Sequence, residues 1–222
     1  MLIAFPIIWA TKFCPEPTAS IRFQQVTRVW MRIFFFLSFL RLRIKGREYF
    51  ERGQSYIVVS NHSSLMDIPL TTPFIPGPNR TIAKKEMASI PIFGMIYKRG
   101  SVLVDRKSDE SRKQSFSLMK AVLDRGLHMC IYPEGTRNKT KEPLQYFHNG
   151  AFKLALDTGR PIIPTVIFNT GKVLPPGKAF YWWPSTIKMH FLEPIEVGSN
   201  SMEDLKDETF DVMKQFILQN KD

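Results

Sequence analysis

Residues Asn61-His-Ser-Ser-Leu-Met-Asp67 follow directly on the apolar run Tyr56-Ile-Val-Val-Ser60. A strand that ends there delivers an imidazole, with a carboxylate five residues further on. On one straight α-helix, positions five apart lie about 140° apart around the axis, because each residue turns roughly 100°. His62 and Asp67 therefore share no helix face and meet only if the chain bends between them. Ser63 or Ser64 supplies that bend by capping a helix that starts near Leu65. Asp67 then reaches back and fixes the tautomer of His62, and the other ring nitrogen is free to take a proton from an alcohol or water. Taken alone, the two residues are equally readable as a surface or N-cap pair without chemistry.

A second cluster, Tyr132-Pro-Glu-Gly-Thr-Arg137, also comes straight off an apolar run. Gly135 lets a ligand approach the backbone closely, and Arg137 offers a planar donor fork for a phosphate. Glu134 leaves a charge unpaired unless it orients that arginine or a substrate hydroxyl. Gly100-Ser-Val-Leu-Val-Asp-Arg106 is a further strand ending in a charged pair, and Ala83-Lys-Lys-Glu86 adds Lys84 and Lys85. In α/β sheets, ligands gather beyond the carboxyl ends of the strands, and all these polar groups fall at such ends. One His/Asp pair beside several cations points to chemistry on a phosphorylated alcohol. Cys14 and Cys130 lack the spacing of metal ligands; Cys130, inside Met129-Cys-Ile-Tyr132, reads as a buried thiol.

The elements that must position these groups alternate. Strands are expected at 42–45 (an edge), 57–60 (central), 80–83, 102–104, 128–132, 162–168 and 187–191. Helices are expected at 65–72, ending before Pro73, at 109–125, closed by Gly126, and at 151–157, closed by Gly159. In the second of these, Phe116, Met119, Val122 and Leu123 share one side. A last helix carries Leu205, Val212, Met213 and Phe216 on one stripe. The fold class that follows is α/β, a single mixed sheet covered by helices. The Pro- and Trp-rich segment 173–184 interrupts the pattern as a loop, its aromatics meeting either a membrane or acyl chain, or the core.

The formal net charge is +11, which predicts an anionic partner: nucleic acid, an anionic membrane surface, or a phosphorylated or acidic carrier. The first 50 residues hold eight basic and two acidic side chains. Residues 1–10 are almost wholly apolar but lack the basic n-region and cleavage site of a secretory signal. The apolar stretch 33–40 would rise only about 12 Å as a helix, against a hydrocarbon core of about 30 Å, and extending it to Val26 takes in Arg28 and Arg32. A spanning helix is thus disfavoured. An amphipathic helix lying in the interface is expected, with arginines at the headgroups and Trp30 and the phenylalanines in the acyl boundary. Packing on the domain is the alternative.

The order of these pieces resembles the 1-acyl-glycerol-3-phosphate acyltransferases, a glycerolipid acyltransferase family. Its Asn-His-x-x-x-x-Asp block appears as Asn61, His62 and Asp67, and its Gly-x-x-x-x-x-Arg block as Gly100 to Arg106. Its Phe-Pro-Glu-Gly-Thr-Arg block appears as Tyr132 to Arg137, with Tyr for Phe, and an apolar block ending in proline as Pro161-Ile-Ile-Pro164. The likeness runs from about residue 42 to 195. It implies a membrane-docking helical segment over 1–41 and an acyltransferase α/β domain over 42–222. It also implies acyl transfer from a thioester of coenzyme A or acyl carrier protein to lysophosphatidic acid, giving phosphatidic acid, with no metal or other cofactor and no nucleic-acid partner.

In that reading His62 is the general base and Asp67 holds the imidazolium. Arg106, Arg137 and Lys84 bind the phosphate in a pocket shaped by Glu134, Gly135 and Thr136. Pro164 lies on the acyl-donor side and Asn61 braces the turn. The hydroxyl attacks the thioester directly, in keeping with the lack of a Gly-x-Ser-x-Gly elbow, and a backbone N–H near Leu65 is a candidate oxyanion donor. The protein is expected on the cytoplasmic face of a membrane, peripheral or monotopic. Another acceptor (glycerol 3-phosphate, another lysophospholipid or a lyso-aminolipid) or thioester hydrolysis remain alternatives.

Overall fold

The computed structural model describes residues 4–91, 93–105, 107–178 and 181–220. Among these, helices α1 (Ala4–Ala10) and α2 (Thr18–Leu37) precede strand β1 (Arg41–Lys45). Then come β2 (Ile57–Ser60), α3 (Asp67–Phe74), β3 (Asn79–Lys84), α4 (Phe93–Gly100), β4 (Ser101–Val104), α5 (Asp109–Asp124) and β5 (His128–Ile131). The chain ends with α6 (Gly150–Thr158), β6 (Ile162–Phe168), the short α7 (Thr170–Val173), β7 (Thr186–Phe191) and α8 (Met202–Gln219).

The strands form one mixed sheet in the order β1-β7-β6-β2-β5-β3-β4. All neighbours are parallel except β6 and β7. The expected α/β class holds, with β1 at an edge and β2 in the middle. Alternation along the strands sorts the core into two layers. Ile57, Val59, Met129, Ile131, Ile162 and Val166 pack with α5, α6 and α8 on one face. Val58, Cys130, Ile163 and Ile167 pack with α2 and α3 on the other. A strand covered on both faces is apolar at nearly every position, with Ser60 and Thr165 the buried polar exceptions here, which is why these segments read as near-continuous hydrophobic runs.

Three details depart from expectation. Helix α3 begins at Asp67, not Leu65, and runs through Pro73. The carbonyls at its end are taken by α2: Gln24 Nε2 donates to Thr72 O and Ile75 O, and Arg28 Nε to Pro73 O. Helix α4 was not foreseen; it is short and flanked by Pro91 and Gly100. In α8 the buried stripe is Leu205, Thr209, Met213 and Ile217, whereas Val212 is 37% exposed. The i, i+4 spacing puts the buried stripe one residue away from Val212.

Helix α2 serves two surfaces. Phe23, Met31 and Phe35 are buried, and Met31 and Phe35 join the core beside Val58 and Ile163. Trp30 and Phe34 are half-buried, so they and Phe35 do not form the outward face expected of them. The exposed stripe is instead Val29, Ile33, Phe36 and Leu37, continued by Phe39; Phe36 and Phe39 are both 80% exposed. Arg32 is exposed on the same helix. In the 173–184 segment, Trp182 packs edge-on against Phe34 and donates from Nε1 to Ser38 O, while Trp183 faces solvent. Among the described residues no helix is long and apolar enough to cross a membrane.

Candidate functional site

Strands β2 and β5 lie side by side, with Val59 opposite Ile131. Both end at the same edge, so the loop 61–66 and the loop that starts at Tyr132 leave together. His62 Nδ1 lies 2.8 Å from Asp67 Oδ2; the histidine side chain is 12% exposed and the aspartate 0%. The bend is held by the carboxylate itself. Asp67 Oδ2 also accepts from the backbone N–H of Ser63 and of Ser64, each at 2.8 Å. Neither serine caps α3 as expected: Ser64 Oγ accepts from Met66 N and donates to Leu174 O. An acceptor already filled by two backbone donors cannot swing away, so the carboxylate is fixed and the Nδ1 proton is fixed with it. Nε2 is left as the acceptor.

The other side of the imidazole is set by Tyr132. Its ring stacks on His62 with centroids 4.4 Å apart, and its hydroxyl meets Thr71 Oγ1 at 2.8 Å. Burial pushes the Tyr132 hydroxyl well above the ordinary phenol range, so it stays a neutral partner. Sequence reasoning treated Tyr132 only as a stand-in for Phe. Its hydrogen bond runs to a helix 61 positions away in sequence, and no spacing in the chain signals it.

Glu134 is almost fully buried and pairs with no arginine among the described residues. Its Oε1 accepts from His62 N at 2.8 Å and its Oε2 from Gln145 N at 3.0 Å. Burial raises its pKa, against the lowering effect of those two N–H donors. Asn138 N closes the circuit onto His62 O at 2.6 Å. Glu134 thus ties the backbone of one loop to that of the other, a role different from the expected orientation of Arg137. Asn61 binds β6 twice: Nδ2 donates to Ile167 O at 3.0 Å and Oδ1 accepts from Ile167 N at 2.7 Å.

Gly135 has φ +67, where a side chain is strained, and a Cβ there would meet the His148 ring at 2.9 Å. Thr136 is exposed. Arg137 is half-exposed, directly before the residue that binds His62 O, and forms no hydrogen bond or ion pair among the described residues. Lys84 is exposed at the end of β3, one strand beyond β5. Pro164 is buried within β6, level with Val59 and so three residues short of His62 along the sheet. Arg106 lies outside the described residues. Among the described residues, no three His, Cys, Asp or Glu side chains converge as metal ligands.

Two apolar cavities flank this point. One, of about 580 Å³, lies between α2, α3 and α4, and is lined by Phe23, Met31, Phe34, Met66, Ile68 and Tyr97 among others. The second, of about 530 Å³, lies under α5, with Phe116, Met119, Tyr132, Gly135 and His148 in its wall. Thr81 lines the first and Ile82 the second, so the sheet itself divides them.

A fixed imidazole thus lies at the carboxyl ends of the parallel strands β2 and β5, between apolar cavities, an arrangement suited to moving a proton on a bound ligand. The match to known families narrows this: residues 41–168, more than half of the chain, match the family described as Acyltransferase, and the chain belongs to it. It is 37% identical over 131 residues to a 1-acyl-sn-glycerol-3-phosphate acyltransferase of Cocos nucifera, covering 58% of this chain and 42% of that protein. It is 28% identical over 167 residues to 1-acyl-sn-glycerol-3-phosphate acyltransferase alpha of Homo sapiens, covering 74% and 59%. The chain therefore spans about two-fifths to three-fifths of these relatives. The crystal structure of the 1-acyl-sn-glycerophosphate (LPA) acyltransferase PlsC from Thermotoga maritima shares the fold. Its TM-score is 0.84 at 24% identity, covering 99% of this chain and 89% of that one.

Proposed function

We propose that this protein transfers an acyl chain from a thioester, carried by coenzyme A or acyl carrier protein, to the free hydroxyl of lysophosphatidic acid, yielding phosphatidic acid. The observation that carries the reading is the Asp67 carboxylate, which holds His62 Nδ1 at 2.8 Å while two backbone N–H groups immobilise it. Nε2 then accepts the hydroxyl proton as the oxygen attacks the thioester carbonyl. The imidazolium that forms is stabilised by Asp67 and returns its proton to the departing thiolate. Of the amides in the 63–66 turn, those of Ser63, Ser64 and Met66 are engaged. That of Leu65 is the candidate donor to the oxyanion.

The unpaired guanidinium of Arg137 supports a phosphate contact there, with Arg106 and Lys84 as its expected companions. The cavity between α2 and α3 is within the 300–1,000 Å³ typical of ligand sites, and its Leu65 and Met66 wall adjoins the turn that holds His62. It suits the acyl chain. The stripe Val29, Ile33, Phe36, Leu37 and Phe39, edged by Arg32, suits docking onto an anionic bilayer, where both lipids reside. This surface is the basis for proposing a peripheral, cytoplasmic-face location and residues 1–41 as the docking unit.

The test is to incubate purified protein with palmitoyl-coenzyme A or palmitoyl-acyl carrier protein and a panel of acceptors, and to identify lipid products by mass. Phosphatidic acid from lysophosphatidic acid is expected. Thioester loss at the same rate with and without acceptor would mean hydrolysis instead. A preference for glycerol 3-phosphate or another lysolipid would reassign the acceptor.

A further inference from the structure

We infer that a second site for a phosphate-type anion lies at the other end of the sheet, built by Arg80, Lys98 and Arg125, with Arg99 behind Arg80 adding to the positive charge. Glu16, in the turn before α2, accepts from Arg80 Nη2 at 2.7 Å and from Arg99 Nη1 at 3.0 Å, both on Oε1. Its Oε2 accepts from Ser20 N. Each arginine side chain is only 18% exposed. Yet, among the described residues, Arg80 Nε, Arg99 Nε and Arg99 Nη2 are buried without a hydrogen-bond partner. One carboxylate thus answers two guanidinium groups and leaves three donors aimed at nothing, a costly arrangement for cationic N–H groups out of water. Burial lowers the Arg80 pKa first; Glu16 opposes this, while Arg99 and Arg125 add to it. The local excess of positive charge is therefore not cancelled.

Beside this cluster, and apart from the sealed N–H groups, lies an open space with cations around it. A cavity of about 290 Å³ is lined by Arg80, Lys98 and Arg125, with Ser101, Leu118 and Val122 completing it. A phosphate monoester or a diphosphate brings several strong acceptor oxygens at once, which matches planar guanidinium forks better than a halide does. Arg80 is the second residue of β3, and Lys84 its last. Four residues at about 3.3 Å each set the two ends roughly 13 Å apart, so this site is separate from the proposed acceptor phosphate contact and does not depend on it.

The anion would also steady the acyl cavity. Glu16 fixes the start of α2, and α2 supplies Phe23, Thr27, Met31 and Phe34 to the 580 Å³ cavity. Gly100, next to Arg99, is packed so tightly that a Cβ there would meet the Phe23 ring at 2.9 Å. An occupant held by Arg80 and by Lys98 of α4 offsets the positive charge around Glu16 and so holds α4 and the α2 entry together at that contact. A free phosphate compound and a lipid headgroup share this chemistry.

The experiment uses the full chain and the variants Arg125→Gln and Lys98→Gln, which leave the Glu16 contacts intact, with Arg137→Gln as a control for the other end. Inorganic phosphate and pyrophosphate are titrated calorimetrically. Thermal unfolding is compared in phosphate and in chloride of equal ionic strength. Sedimentation with phosphatidylcholine vesicles is measured with and without phosphatidic acid.

The expected result is saturable binding and a phosphate-specific rise in Tm, weakened at least about tenfold in affinity by Arg125→Gln and Lys98→Gln and kept by Arg137→Gln. If the two rim variants change only the phosphatidate-dependent sedimentation, the site stands and its ligand is a lipid headgroup. Binding that is absent in both assays, or unaffected by the rim variants, overturns the site, as does binding lost only in Arg137→Gln.

Discussion

Exchanging Asp67 for asparagine keeps the shape of the side chain and removes its charge. Asp67 Oδ2 accepts three donors at 2.8 Å, from His62 Nδ1, Ser63 N and Ser64 N, while Oδ1 is buried without a partner. The amide has two ways to sit. With its oxygen in the Oδ2 position, its NH₂ group fills a buried spot that offers no acceptor, at about 1–3 kcal/mol, and the imidazolium loses its counter-charge. With its NH₂ group turned to the donors, it faces two backbone N–H groups and drives the His62 proton from Nδ1 to Nε2, where the base is needed. On the proposed mechanism the first arrangement weakens the general base and the second removes it, and its full loss is typically 10²–10⁴-fold, or about 3–5 kcal/mol of barrier at 1.36 kcal/mol per decade. The assay follows thiol release from an acyl thioester against lysophosphatidic acid concentration. We expect kcat to fall by at least about a hundredfold with little change in acceptor KM, because Arg137 is untouched. A folded Asp67→Asn protein with kcat within tenfold of the parent would refute the reasoning.

Glu134→Gln leaves one acceptor facing the backbone N–H of His62 and Gln145; the other side of the amide opposes a donor with a donor. Urea unfolding should show a loss of about 1–3 kcal/mol and kcat should fall with it, while unchanged stability would contradict the brace. His128 is a buried core histidine whose pKa burial depresses from 6.5 to about 4. Between those values the unfolded chain binds a proton that the folded one refuses, so stability is full above about pH 6.5 and declines toward pH 4, by up to about 3 kcal/mol. Denaturation midpoints of His128→Gln and the parent at pH 7 and pH 4.5 should differ in slope; equal slopes would exclude His128 as the cause. Phe36→Asp with Phe39→Asp alters only exposed side chains, so the fold should survive while vesicle binding drops about tenfold or more; undiminished binding would move the docking surface elsewhere.

The sheet was legible because its central strands are covered on both faces. Ile57 to Val59 is wholly apolar and Ile162 to Ile167 is apolar but for Thr165, as burial on both sides favours. The Gly126 and Gly159 stops were legible for a local reason, since each has a positive φ that ends or follows a helix. Helix α3 was misjudged at both ends because its boundaries are set from outside: Asp67 is pulled back by the serine amides at its start, and α2 satisfies the carbonyls around Pro73 at its end. The division of α2 into an inward face with Trp30 and Phe34 and an outward face with Ile33 and Phe36 depends on where the sheet lies, and composition cannot supply that.

The site shows the same limit more sharply. A chain of residue types suggests that a glutamate beside an arginine serves that arginine. In the folded protein Glu134 instead accepts from the backbone of His62, and the backbone of Asn138 donates to the His62 carbonyl. The carboxylate of Asp67 likewise spends two of its three bonds on main chain, and the amide of Asn61 pairs only with the main chain of Ile167. Three buried polar side chains are therefore committed to peptide groups on the strands or loops either side of β2. A peptide group moves less than a side chain, so this scheme fixes the imidazole more firmly than a ring of side-chain contacts would. It also leaves Arg137 without a tether among the described residues. On the proposed mechanism the firm half of the site moves a proton and the adaptable half meets a lipid headgroup, so substitutions around His62 should act on kcat and those at Arg137 on KM.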